Sequence, residues 1–185
     1  MLKKIMIHIT SRHIEVSDSL FEYMYGEHDP AGEDADEKVP IEDDKNEPDM
    51  PENEPIEIST EGKLRVTREG TVTLSYDETE MSGMEGAHTS ITFENGTPGL
   101  ITMMRTGNMN TALVFEENSR HICVYRTPYM PFELCVHTLH IGNRLLTEGR
   151  LDLDYIIEFR GAKAEHNLFT LVVTDAPDRP VSLQK

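Results

Sequence analysis

Four side chains of the zinc-binding type flank one turn signal. His121 and Cys123 precede Pro128–Pro131, and Cys135 and His137 follow it. If the two runs pair as a hairpin with 123 opposite 135, then 121 faces 137. The four would form one cross-strand quartet, and two cysteines with two histidines are a zinc set. Alternate residues of a strand stand about 7 Å apart, which is awkward for tetrahedral convergence. The expectation is therefore no metal and no cofactor, with two small buried thiols and two surface histidines. His137 and His140 are three apart, and on a regular strand they face opposite sides.

A second set suits binding rather than catalysis. Tyr76 stands before an acidic stretch that holds Glu80 and Glu85, and Arg105 closes the apolar run Leu100–Met104. Phe115 precedes Glu116 and Glu117, and Tyr125, Arg126 and Tyr155 lie in or beside apolar runs. A pocket for a small polar-headed ligand needs a few such groups above an apolar interior. Tyr76, Glu80, Arg105, Phe115, Tyr125, Arg126 and Tyr155 are the candidate ligand-binding residues. The competing reading makes them rim ion pairs and hydroxyl caps on core packing. Ten methionines, Met81, Met84, Met103 and Met104 among them, would suit an adaptable pocket or ordinary core. No phosphate-binding loop and no nucleophile elbow occurs. No catalytic residue is assigned, and the balance leans away from an enzyme.

The elements that must carry these residues are strands. From residue 56 the hydrophobic period is two, almost without pause. Thr71–Tyr76, Thr89–Phe93 and Leu151–Phe159 alternate clearly, and Ile5-Ile7-Ile9 does so at the start. Turn signals such as Glu69-Gly70, Glu94-Asn95-Gly96, Glu117-Asn118-Ser119 and Glu148-Gly149 recur about every ten residues. The pattern predicts an all-β fold, a closed antiparallel up-and-down barrel of eight to ten strands. Closure removes exposed sheet edges, which favours a barrel over a sandwich. Residues 17–25 are read as a short helix capped by Ser17 or Asp18.

Charge divides the chain. It has 185 residues, with 34 acidic and 17 basic, for a net charge of −17. Residues 22–55 hold 14 acidic residues, two lysines and five of the ten prolines, and so contribute −12. This insert has the composition of disorder. The rest is only mildly acidic. The expected organisation is one barrel domain over 1–176, with the insert at 22–55 and a tail at 177–185. So little basic character argues against nucleic acid and anionic membranes as partners. No run reaches the roughly 20 apolar residues of a membrane-spanning helix. With two cysteines and no adequate signal-peptide core, the expected location is the cytoplasm.

The ordered motifs also carry a resemblance. They are Ser75-Tyr76 through Glu80-Met81-Ser82-Gly83-Met84-Glu85-Gly86, and Arg105-Thr106-Gly107 leading to Asn110, Phe115-Glu116 and Arg120-His121. Tyr125-Arg126-Thr127-Pro128-Tyr129 and Leu151–Tyr155 complete them. Over residues 1–15 and 56–175 the chain resembles the YwiB-like calycin β-barrels, small bacterial cytoplasmic proteins that carry a domain of unknown function. The resemblance implies a closed barrel akin to lipocalins, with no established activity. Met130 replaces a glycine usual in that family, the 22–55 insert is longer than its norm, and the absence of Trp removes the lipocalin G-x-W signature.

The leading expectation is an intracellular barrel that binds a small apolar or amphipathic ligand without catalysis. It requires an interior cavity, and loses its basis if Phe93, Phe115, Phe132 and Phe159 fill the barrel. The alternative is a structural or regulatory interaction protein that meets a basic partner through the acidic insert. A lesser alternative is an enzyme, haem or metal barrel using His88, His121 or His137. A homodimer is compatible with the sequence.

Overall fold

A computed structural model describes residues 1–15, 54–82, 85–107, 110–126, 131–159 and 162–176. The helix expected at 17–25, nearly all of the acidic insert and the tail at 177–185 lie outside the described residues. Ten strands follow one another: β1 Leu2–Glu15, β2 Ile56–Val66, β3 Thr71–Asp77, β4 His88–Glu94, β5 Thr97–Thr106, β6 Thr111–Glu116, β7 Arg120–Arg126, β8 Pro131–Arg144, β9 Arg150–Phe159 and β10 Ala162–Asp175. A short 3-10 turn, Glu80–Ser82, follows β3.

All pairing is antiparallel, and neighbours in sequence are neighbours in the sheet. β10 returns to pair with β1 from Ile5 opposite Asp175 to Glu15 opposite Glu165. The free edges, β6 and β7, pack side by side across the three-residue connection 117–119. The result is the expected up-and-down barrel, nearly closed, with ten strands.

Period two sets the inward face. Ile5, Ile7 and Ile9 of β1, Val72 and Leu74 of β3, Ile91 and Phe93 of β4, and Leu151 and Leu153 of β9 all belong to the buried core. Each such side chain contributes about 1.5–3 kcal/mol by leaving water. The intervening residues face out and pair there. Asp152 accepts hydrogen bonds from Arg150 and Thr170, each at 2.8 Å, and Asp154 meets His166 at 2.7 Å.

β2 is one strand where the apolar pattern showed two short runs. Gly62 interrupts the pattern because nothing larger fits. A Cβ there would stand 2.3 Å from Ile7 Cδ1 and 2.8 Å from the Ser75 carbonyl oxygen. The gap in hydrophobicity is therefore a close approach of three strands.

Candidate functional site at the open end of the barrel

One end of the interior is packed and the other is not. Along β3 the inward residues run Val72, Leu74 and Tyr76, and Glu78 continues the parity just past its end. Along β1 they run Ile5, Ile7, Ile9, Ser11, His13. Along β5 they are Ile101, Met103, Arg105. β10 runs the other way and reads Leu171, Phe169, Asn167, Glu165 towards the same end. Thr89 of β4 and Thr111 of β6 lie at that end too, both buried. Antiparallel order thus gathers polar inward residues where β1, β3, β5 and β9 finish and β4, β6 and β10 begin.

A cavity of about 410 Å³ opens there. Its apolar wall includes Ile9, Ile58, Leu113, Ile157 and Phe169, and its polar wall includes His13, Tyr76, Glu78, Arg105, Tyr155, Glu165 and Asn167. Two larger depressions, each about 720 Å³, lie along the outer faces of β1–β3 around the exposed side chains of Lys4, Lys63 and Arg65. They are surface grooves rather than interior space.

Glu78 organises the polar wall. Its carboxylate is almost wholly buried and accepts a hydrogen bond from the Thr89 hydroxyl. Arg105 forms an ion pair with it, Nε standing 3.6 Å from Glu78 Oε1, too far for a hydrogen bond, and that Nε is buried without a hydrogen-bond partner among the described residues. Burial, reinforced by the charge of Glu78, pushes the Tyr76 phenol pKa well above its ordinary value. Burial likewise raises Tyr155 to about 12. Both phenols therefore keep their protons and remain donors near neutral pH.

His13 and Glu165 form an ion pair at the rim. The hydrogen bond to Glu165 raises the His13 pKa against the opposing effect of burial. Burial tends to raise Glu165, but the hydrogen bond and charge of His13 outweigh it and hold the carboxyl below its ordinary value, helped by the nearby Asn167 amide. Asn167 is buried, and its Nδ2 has no hydrogen-bond partner.

The structure brings together Tyr76, Arg105 and Tyr155 of the residues singled out in the sequence. Phe115 lies deeper, fully buried, with its ring 4.9 Å from that of Tyr155 in an edge-on contact. Glu80 is exposed on the 3-10 turn, where Ser82 lines the cavity instead. The side chains of Tyr125 and Arg126 lie outside the described residues. His13, Glu78, Glu165 and Asn167 were not anticipated. Their signal was the inward parity of β1, β3 and β10, carried past the last apolar residue.

The zinc quartet is overturned by the register. Cys123 pairs with Leu134 and Cys135 with Ile122, while His121 pairs with Val136 and His137 with Arg120. The shift by one residue sends His121 and Cys123 to one face of the sheet and Cys135 and His137 to the other. Among the described residues no group of three or more His, Cys, Asp or Glu is placed to hold a metal ion.

A second expectation fails nearby. The register shifts between Thr138 and His140, so that His137 pairs with Ile156 and His140 with Asp154. The bulge puts His137 and His140 on the same face, yet His140 is taken by Glu117 at 2.7 Å. His88 and His121 also stand beside carboxylates, Asp77 at 2.8 Å and Glu116 at 3.2 Å.

Among the described residues, no helix is long and apolar enough to cross a membrane. No curated protein matches the chain. Among solved structures it is similar to the crystal structure of ywiB protein from Bacillus subtilis, with 18% identity and a TM-score of 0.65, over 95% of this chain and 93% of that one. At that identity the likeness shows the fold alone. The model of the family described as a domain of unknown function, DUF1934, matches residues 41–171. The resemblance read from the ordered motifs and the shared barrel agree with that match, and the chain belongs to the DUF1934 family.

Proposed function

We propose that this barrel is a binding module for a small amphipathic molecule, with no chemistry performed on it. The observation that carries the reading is the 410 Å³ cavity at the open end, half walled by core aliphatics and half by convergent polar groups. That volume falls in the range of small-molecule sites, roughly 300–1,000 Å³. The fully buried side chains of Leu74, Ile101, Phe115 and Leu151 fill the interior beyond it. A long chain threaded through the barrel has no room, so the ligand is compact and seats at the mouth. A cytoplasmic setting accords with Cys123 and Cys135 standing as free thiols.

Amide chemical-shift mapping against a panel of small amphipathic compounds tests the reading. Binding should move resonances of β1, β3, β5, β9 and β10 around Ile9, Tyr76, Arg105, Tyr155 and Asn167. A panel that moves nothing there, or moves only the outer groove along β1–β3, refutes it.

A further inference from the structure

The donors and acceptors of the cavity wall do not balance. Both carboxylates already have internal partners: Glu78 takes the Thr89 hydroxyl, and Glu165 takes His13. Two donors differ. Among the described residues Arg105 Nε is buried without a hydrogen-bond acceptor, and Asn167 Nδ2, on a side chain that is 1% exposed, makes no hydrogen bond although its amide lies near Glu165. Tyr155 also lines the cavity, and its phenol keeps its proton. A buried donor without a partner costs about 1–3 kcal/mol. Two that line one cavity find no acceptor among the described residues.

The geometry points to a carboxylate: we propose that the open-end cavity recognises a compact organic acid through its carboxylate, held by Arg105, Asn167 and Tyr155. This rests on the binding reading above and names the ligand class for that cavity. A guanidinium offers N–H groups in a planar fork that matches the two oxygens of a carboxylate. Its contacts with anions are about twice as strong as neutral hydrogen bonds. Arg105 is already ion-paired with Glu78 at 3.6 Å, but its Nε makes no hydrogen bond among the described residues and remains a donor for a second carboxylate. The apolar tail of the acid would lie on Ile9, Ile58, Leu113 and Phe169. A cationic ligand is disfavoured because Glu78 and Glu165 are both committed.

Calorimetric titration of the full chain with 4-phenylbutyrate, 4-phenylbutanol and 4-phenylbutylamine separates the alternatives. These probes share a tail and differ only in the head. The acid should bind tighter than the alcohol by about tenfold or more, the equivalent of one charge-assisted hydrogen bond. The amine should bind more weakly than either. R105Q should weaken the acid far more than the alcohol and so remove that preference. Should R105Q not fold, Y155F keeps the ring packed on Phe115 and should lower acid affinity several-fold and alcohol affinity less. Equal binding of acid and alcohol overturns the carboxylate assignment and leaves the binding reading standing. Tighter binding of the amine overturns the assignment as well. No binding by any of the three, with shift mapping also silent, overturns the binding reading itself.

Discussion

The two halves of the barrel interior share one inward parity and differ in what it carries. In the packed half, Ile5, Ile7, Val72, Leu74, Ile101, Leu151 and Leu171 are almost wholly removed from water. In the open half the same strands present Ser11, His13, Glu78, Arg105, Glu165 and Asn167. The packed half is built to exclude partners, and the open half retains unspent donors. Apolar and polar interior are thus segregated along the barrel axis rather than between inside and outside. A polar group inside this barrel means different things at different heights.

Substitutions can break that contrast. The largest effect should come from Phe115→Ala, which empties a site with no exposure and removes the edge contact to Tyr155. A loss of about 3–5 kcal/mol is expected, checked by urea unfolding. A loss below 1 kcal/mol would mean that the packed half is not what holds the fold. Next comes Gly62→Ala, where the new methyl must displace Ile7 and press on the Ser75 carbonyl. About 1–3 kcal/mol should be lost, and binding at the open end should survive in the folded fraction.

A smaller effect of opposite sign is expected at Thr138. It is fully buried, and its hydroxyl has no hydrogen-bond partner among the described residues. Thr138→Val keeps the shape and removes the orphan, so stability should rise by up to about 1 kcal/mol. An unchanged or lower melting temperature would show that this hydroxyl is used.

The mildest effect is a pH dependence from His13 and Glu165. The folded-state pKa of His13 lies above 6.5, so its contribution is fully present below pH 6.5 and fades as pH rises through the raised value. That of Glu165 lies below 4.5, so its contribution is present above pH 4.5 and fades as pH falls through the lowered value. The pair should stabilise most between these limits. Comparing the melting temperatures of the wild type and His13→Asn from pH 4 to 9 should show the difference shrinking on the alkaline side. A flat difference would mean that the pair adds nothing.

The sequence showed the barrel more readily than its mouth. Alternation such as Leu151-Asp152-Leu153-Asp154-Tyr155 states strand and parity together, because a half-buried strand must repeat every two residues. The site was legible only where an aromatic or a cation stood next to an apolar run, as Tyr76, Arg105 and Tyr155 do. Glu78, Glu165 and Asn167 continue the same parity with polar residues. Without knowing where along the axis the core ends, such residues read as turn or surface. The zinc quartet failed because hairpin register depends on the connection at 127–130, and one residue of slip reverses every face. The bulge at Leu139 was equally hidden, since an unpaired residue leaves no mark on hydrophobicity.

The connections between strands differ at the two ends of the barrel. At the packed end they are short: 67–70, 95–96, 117–119 and 145–149. The longest, 16–55 and 78–87, both leave from the open end. Insertions and exchanges there leave the packed half and its pairing register untouched. Such a chain is divided for evolution as well as for folding, one rim being fixed by its neighbours and the other open to revision. Relatives can therefore drift far in sequence at that rim while keeping the same wall behind it.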